Sequence, residues 1–214
     1  AALRAPALDD ELAETLTHPF HSYPARVHPA TARVLDVGCS AGLITDEISR
    51  HASLVVGTDV DADALRIAAA RGGRASFVVA SGARLPFADR SFDAVVCNHV
   101  YEHVDDPYAL VAEIHRVLRD GGACYFAAGH TLQLVEPHHR LPLLSLLPRS
   151  LADRLLCLTG RAERYEERFL PPWRLRALFA PFAAASLVSP AMLRDPIRYE
   201  FRSIAALPRP LRQA

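Results

Sequence analysis

Arg33-Val34-Leu35-Asp36-Val37-Gly38-Cys39-Ser40-Ala41-Gly42-Leu43-Ile44 passes from a short apolar run, through two glycines, into residues with helical periodicity. A strand at 33–37, a tight turn and a helix at 43–50 make the first half of a βαβ unit. The space beyond the carboxyl end of such a strand is where an open α/β sheet binds ligands. Gly38 and Gly42 allow the backbone to turn sharply and approach a ligand where a Cβ would collide, and Asp36 sets an acceptor beside them. A dinucleotide site wants glycine at the first, third and sixth positions of G-x-G-x-x-G. Those positions here are Gly38, Ser40 and Leu43, so that site is disfavoured.

The same alternation continues downstream. It predicts a strand at 54–58, a helix at 62–71 stopped by Gly72-Gly73, and strands at 76–80 and 92–97. A helix follows at 107–119, with Leu110, Val111, Ile114, Val117 and Leu118 on its apolar face and Gly121-Gly122 as its end. A fifth strand is expected at 123–128. Strands that alternate with helices at this spacing favour a parallel sheet covered on both faces, a doubly wound, Rossmann-like α/β domain. Runs at 185–189 and 197–204 read as closing strands, making seven with the last antiparallel.

The 214 residues suit one domain. Its expected parts are an N-terminal helix and lid (1–32), a core (33–128), an insertion (129–165) and a C-terminal helix with closing strands (166–214). Leu8, Leu12 and Leu16 mark the first helix. The irregular stretch at 18–28 holds prolines, histidines and Tyr23, which would bring an apolar face and a hydroxyl to a lid. Within the insertion a helix is expected at 150–158, and after it another at 173–179.

Three further motifs lie at the carboxyl ends of the later strands. Gly57-Thr58-Asp59-Val60 ends the second strand about 20 residues after the glycine turn, where an acidic side chain can accept from both hydroxyls of a ribose. Asp61 and Asp63 are better placed than Asp59 to cap the helix that follows. Ala80-Ser81-Gly82-Ala83-Arg84-Leu85-Pro86-Phe87 follows the third strand. The fourth strand leads through Asn98-His99-Val100-Tyr101-Glu102-His103-Val104 to Asp106-Pro107, and the next helix ends in Leu118-Arg119-Asp120-Gly121-Gly122.

Together these four motifs, in order over 34–128, resemble the class I S-adenosylmethionine-dependent methyltransferases, in the small-molecule, type 11-like branch. The resemblance implies S-adenosylmethionine as cofactor and S-adenosylhomocysteine as product. It implies that Asp36, Gly38, Cys39, Ser40 and Gly42 cradle the amino acid part of the cofactor, with Ser40 where the family has its middle glycine. Asp59 and Val60 would hold the ribose side, and Ser81, Gly82 and Ala83 the adenine, with Ser81 in the family's acidic position. Asn98 and Tyr23 complete the expected cofactor set. His99 and His130, which follow the fourth and fifth strands, are the candidate bases for an acceptor that must lose a proton.

Composition narrows the rest. Basic and acidic residues balance at 24 each, which gives no field to draw nucleic acid. Every basic residue is arginine, which reads as coding bias. Cys39, Cys97, Cys124 and Cys157 are scattered without zinc-ligand spacing, and adjacent histidines at His138-His139 point apart, so no metal is expected. The absence of a leader or membrane-length apolar run points to a cytoplasmic protein. The leading expectation is an O-methyltransferase of small molecules in a biosynthetic pathway. A methyltransferase acting on tRNA or protein, and a non-catalytic partner subunit, are the alternatives; the oligomeric state is open.

Overall fold

Strand β1 (Arg33–Val37) is buried from its second residue to its last, as a central parallel strand covered on both faces must be. It pairs in parallel with β2 (Leu54–Asp59) on one side and β4 (Phe92–Asn98) on the other. Outside these lie β3 (Ser76–Val79) and β5 (Leu118–Ala127), giving the order β3-β2-β1-β4-β5 with all pairs parallel. The chain winds outward from β1 through β2 to β3 and then returns to β1's other side as β4. The strand order therefore reverses between β1 and β4, which sets the crevice at the carboxyl ends of these two strands.

The structure, a computed structural model, describes residues 31–136 and 138–183. Among the described residues, 31–181 fall in one compact unit and 182–183 in a second. The helix expected at 8–16, the lid with Tyr23 and the closing strands at 185–189 and 197–204 lie outside the described residues.

Side chains alternate across the sheet. Val34, Val55, Ala94 and Val96 face one way and pack with Ile48 of helix α1 (Leu43–Ser49) and Ala52. Leu35, Val37, Val95 and Cys97 occupy the intervening positions and are equally buried. Helix α2 (Ala62–Ala70) starts at Asp61, whose carboxylate accepts from the amides of Asp63 and Ala64, and Gly72 follows its end at φ 68°. Helix α3 (Pro107–Val117) is capped in the same way by Asp106, with proline in its first turn, and buries Leu110, Val111, Ile114 and Val117.

The end of α3 differs from expectation. The helical pattern continues into Leu118, but Leu118 already has extended backbone and pairs with Phe92, so it begins β5. Gly121 and Gly122 therefore do not cap a helix. They lie inside β5 where its register against β4 shifts between Phe92 and Ala94. A Cβ on Gly122 would stand 2.9 Å from the Arg119 carbonyl and 3.0 Å from that of Asp93, so the irregularity itself demands glycine.

Beyond β5 the insertion builds a small core of its own. Helix α4 (Arg149–Thr159), ended by Gly160, brings Ala152 and Leu156 against Leu144 and Tyr165. The leucine run is thus divided, with Leu144 buried and Leu143 and Leu146 exposed. Helix α5 (Pro172–Leu178) closes the described part with a proline in its first turn.

The glycine turn after β1 is sterically committed. A Cβ at Gly38 would lie 2.3 Å from Val100 Cγ2, and its φ is 71°. Gly38→Ala is expected to destabilise the protein by about 2–4 kcal/mol, the sum of a left-handed alanine and an overpacked contact. Denaturant titration checks this; a loss below about 1 kcal/mol would show that Val100 yields freely.

Candidate active site

The turn between β1 and α1 places three left-handed residues in alternation, with φ 71° at Gly38, 48° at Ser40 and 74° at Gly42. Serine thus adopts the conformation for which the family uses glycine, at a cost of about 1 kcal/mol. A short hydrogen bond holds it there: Ser40 N donates to Asp59 Oδ2 at 2.7 Å. The amides of Gly38 and Cys39 both donate to the Thr58 carbonyl, at 2.7 and 3.0 Å, so the turn is tied to the end of β2. Arg71 reaches back from the end of α2 to the Ala41 carbonyl and to Asp46, a support that nothing in the local sequence announces.

Asp36 is buried, with Thr45 Oγ1 donating to its Oδ2 at 2.6 Å. Burial pushes its carboxyl up to about 7; the Thr45 hydrogen bond opposes the rise and the nearby Asp59 charge adds to it. Cys39, largely desolvated and close to Asp36, has its thiol pushed up to about 12, so it stays protonated and is no nucleophile.

Asp59 stands at the end of β2 and does not cap α2. Its Oδ2 accepts from Ser40 N and its Oδ1 from Asp61 N at 2.9 Å, and each oxygen keeps lone-pair capacity for an outside donor. Val60 beside it is 71% exposed and offers an apolar surface. In the third loop Ser81 Oγ accepts from Ala83 N at 3.3 Å, which leaves the hydroxyl proton to give. Gly82 packs where a Cβ would meet Leu110 Cδ1 at 2.7 Å. The loop is held from α3: Glu113 accepts from Leu85 N at 2.7 Å, and Arg116 donates to the carbonyls of Leu85 and Phe87 at 3.0 and 2.8 Å.

Asn98 ends β4, paired with Ala127 of β5. His99 follows in the left-handed region at φ 54°, its amide bonded to the Ala127 carbonyl at 3.0 Å. A bulky residue held there is a local strain of the kind that collects at functional sites. Its ring is 44% exposed, while its Nδ1 lies 3.1 Å from Oε1 of Glu102, which is wholly buried. The next residue, Val100, covers Gly38, so the His99 turn abuts the glycine turn. His130 lies past β5 with a buried Nδ1 that meets no partner among the described residues.

Tertiary folding adds groups that sequence reading set aside. His138 returns to the β4 edge with Nε2 3.6 Å from Glu102 Oε1. Donor atoms of Glu102, His103 and His138 lie within 4.8 Å of one another. A cleft of about 570 Å³ adjoins this cluster, lined by Glu102 and His103 on one side and by Arg149, Asp153, Arg164 and Tyr165 of the insertion on the other.

The residues present fit S-adenosylmethionine. The turn keeps its three left-handed positions despite Ser40, Asp59 is fixed with acceptor capacity to spare, and Asp36 offers a buried carboxylate beside the turn. The family profile described as "methyltransferase domain" matches residues 35–126. The ubiquinone biosynthesis O-methyltransferase of Xanthomonas axonopodis pv. citri (strain 306) is 30% identical over 173 residues, covering 72% of this chain and 72% of that protein. The demethylmenaquinone methyltransferase of Tropheryma whipplei (strain Twist) is 34% identical over 149 residues, covering 67% and 61%. The chain thus spans 61–72% of the length of these two relatives. Among solved structures, an S-adenosylmethionine-dependent methyltransferase from Mesorhizobium loti superposes with a TM-score of 0.61 at 20% identity over 89% of this chain and 92% of that one. One from Methanosarcina mazei gives 0.58 at 24% identity over 75% and 81%; both share the fold.

The chain belongs to the class I S-adenosylmethionine-dependent methyltransferases. Within that class it falls in the type 11-like branch, and its cofactor is S-adenosylmethionine.

A pH dependence follows from Asp36. Its folded pKa, about 7, is above the ordinary value of 3.8. The folded chain therefore holds a proton that the unfolded chain releases between those values, and the ligand-free protein loses stability as pH rises through that window. An ammonium group bound against this carboxylate would favour its ionised form. Affinity for S-adenosylhomocysteine is expected to rise about tenfold from pH 6 to pH 8, with a proton released on binding near pH 7. Calorimetry in buffers of different ionisation heat reads both, and a flat profile would remove Asp36 from the ammonium site.

Proposed function

We propose that this protein methylates a hydroxyl oxygen of a small-molecule acceptor, with His99 as the general base. The observation that carries this reading is His99 itself, strained at φ 54° at the carboxyl end of β4, beside the glycine turn and bonded to a buried carboxylate. A histidine whose Nδ1 faces a buried carboxylate while its ring stays 44% exposed suits proton abstraction, which a hydroxyl acceptor requires and many nitrogen or carbon acceptors do not. The names of the ubiquinone biosynthesis O-methyltransferase relatives support the same acceptor atom.

In this reading Asp36, Gly38, Cys39, Ser40 and Gly42 hold the amino acid part of the cofactor, Asp59 and Val60 its ribose side, and Ser81, Gly82 and Ala83 the adenine, with Asn98 at the strand end and Tyr23 from the preceding segment completing the set. The bound cofactor supplies the methyl group on its sulfonium. His99 Nε2 takes the acceptor's hydroxyl proton as the oxygen forms its bond to the methyl carbon and the carbon–sulfur bond breaks. His130, with its unpartnered Nδ1, lines the neighbouring strand end and helps orient the acceptor. The insertion, 129–165, which carries His130 at its start and brings His138 to the β4 edge, acts as a cap over the acceptor.

Four unpaired thiols support a reducing, cytoplasmic setting. No described helix is long and apolar enough to cross a membrane. The experiment is a panel of phenols, aliphatic alcohols, amines and carboxylic acids incubated with S-adenosylmethionine and read as S-adenosylhomocysteine formed. Turnover of phenols or alcohols supports the reading. Turnover confined to amines, or to added tRNA or protein, overturns it.

A further inference from the structure

We propose that Glu102 is a positioning residue for this reaction, and that together with His138 it holds His99 in the tautomer whose Nε2 is free to accept the acceptor's proton. The inference rests on the reading of His99 as base and assigns what makes it one. Glu102 is wholly buried, and its Oε1 faces two imidazoles from separate parts of the chain: His99 Nδ1 at 3.1 Å and His138 Nε2 at 3.6 Å. A carboxylate only accepts, so the His99 proton must sit on Nδ1, which leaves Nε2 as the lone-pair nitrogen on the half-exposed ring. The same carboxylate then faces the imidazolium that forms when the proton arrives.

The arrangement is built rather than incidental. The His99 backbone is fixed by its bond to Ala127 at the end of β5. His138 is fixed by Glu136, a second wholly buried carboxylate, which accepts from the amides of His138 and His139 at 3.1 and 2.5 Å. Its ring stacks on Phe169 and meets the His103 ring edge-on, with centroids 6.1 and 5.1 Å apart. Glu102 Oε2 has no partner among the described residues, a costly state for a buried carboxylate oxygen. Burial alone would raise the Glu102 carboxyl, but the His99 hydrogen bond, a backbone amide and the neighbouring imidazoles together hold it below its ordinary range. It is therefore ionised and able to orient His99.

The test is imidazole nitrogen NMR on the 15N-histidine-labelled full chain with S-adenosylhomocysteine bound, the His99 signals being identified by their loss in His99→Gln. The expected result is the Nδ1–H tautomer in the native protein, shifting toward Nε2–H in Glu102→Leu, which offers Nδ1 no acceptor, with S-adenosylhomocysteine affinity unchanged. On an acceptor from the panel, Glu102→Gln should lower kcat roughly 10- to 100-fold with KM kept. A native Nε2–H tautomer overturns the proposal, and that measurement stands even if Glu102→Leu fails to fold. An unchanged tautomer in folded Glu102→Leu also overturns it. So does one equivalent of Zn2+ that displaces the His99, His103 and His138 signals together, since the cluster would then be a cation site. Full activity in His99→Gln would instead sink the base reading while leaving the tautomer result intact, so the two failures are distinguishable.

Discussion

Asp59→Ala is expected to weaken binding of S-adenosylmethionine and S-adenosylhomocysteine about 100-fold, the largest effect on affinity of any single substitution in this site. Two hydrogen bonds from ribose hydroxyls to one carboxylate, at about 1.5 kcal/mol or more each, amount to about 3 kcal/mol, and about 1.4 kcal/mol is a factor of ten. The same carboxylate also accepts from Ser40 N and Asp61 N, so its removal frees the glycine turn as well. Asp61→Ala is the control. It removes the α2 cap, costing about 1 kcal/mol of stability, and should leave affinity within about threefold. Titration calorimetry on both variants separates the two roles. A tenfold loss or less in Asp59→Ala, with the Asp61 variant equal to it, would mean that the carboxylate serves the turn and not the cofactor.

His99→Gln is expected to lower kcat by about 10²–10⁴-fold on a hydroxyl acceptor, the contribution typical of a positioned base. Cofactor affinity should change little, because Val100 is the side chain that packs on Gly38. Glutamine keeps the length and removes the basic nitrogen. His130→Gln, in the same assay, should change KM more than kcat if His130 orients the acceptor. Steady-state kinetics on the best substrate of the panel decides. A His99→Gln enzyme within threefold of native kcat would place proton transfer elsewhere or make it unnecessary.

The core of the fold was legible because short-range rules and the tertiary environment agree there. The strands at β1 to β4 and the helices α1 to α3 match the expected ranges to within a residue or two, and several of their boundaries are set by local devices: Asp61 and Asp106 as caps, Gly72 as a stop, Gly38 as the turn. The exception is instructive. Leu118 fits the apolar face of α3 by periodicity, yet pairing with Phe92 takes it into β5, and no helix pattern contains the position of a neighbouring strand. Ser40 is similar. Its identity departs from glycine, but the bond from its own amide to Asp59 supplies what the missing glycine would have made easy.

The sequence alone determined the order of elements from β1 to α5 and the crevice at the strand ends, because β-strand and helix periods, caps and glycines act over a few residues. Only the tertiary structure decided how those residues are wired. It set Thr45 on Asp36, Glu113 and Arg116 under the Leu85–Pro86–Phe87 loop, and His138 against Glu102. Each of these contacts joins residues on separate elements, and their meeting depends on the paths taken by α1, α3 and the segment after β5. A buried carboxylate between two histidines is a fact of packing and desolvation, and those exist only once the chain has folded.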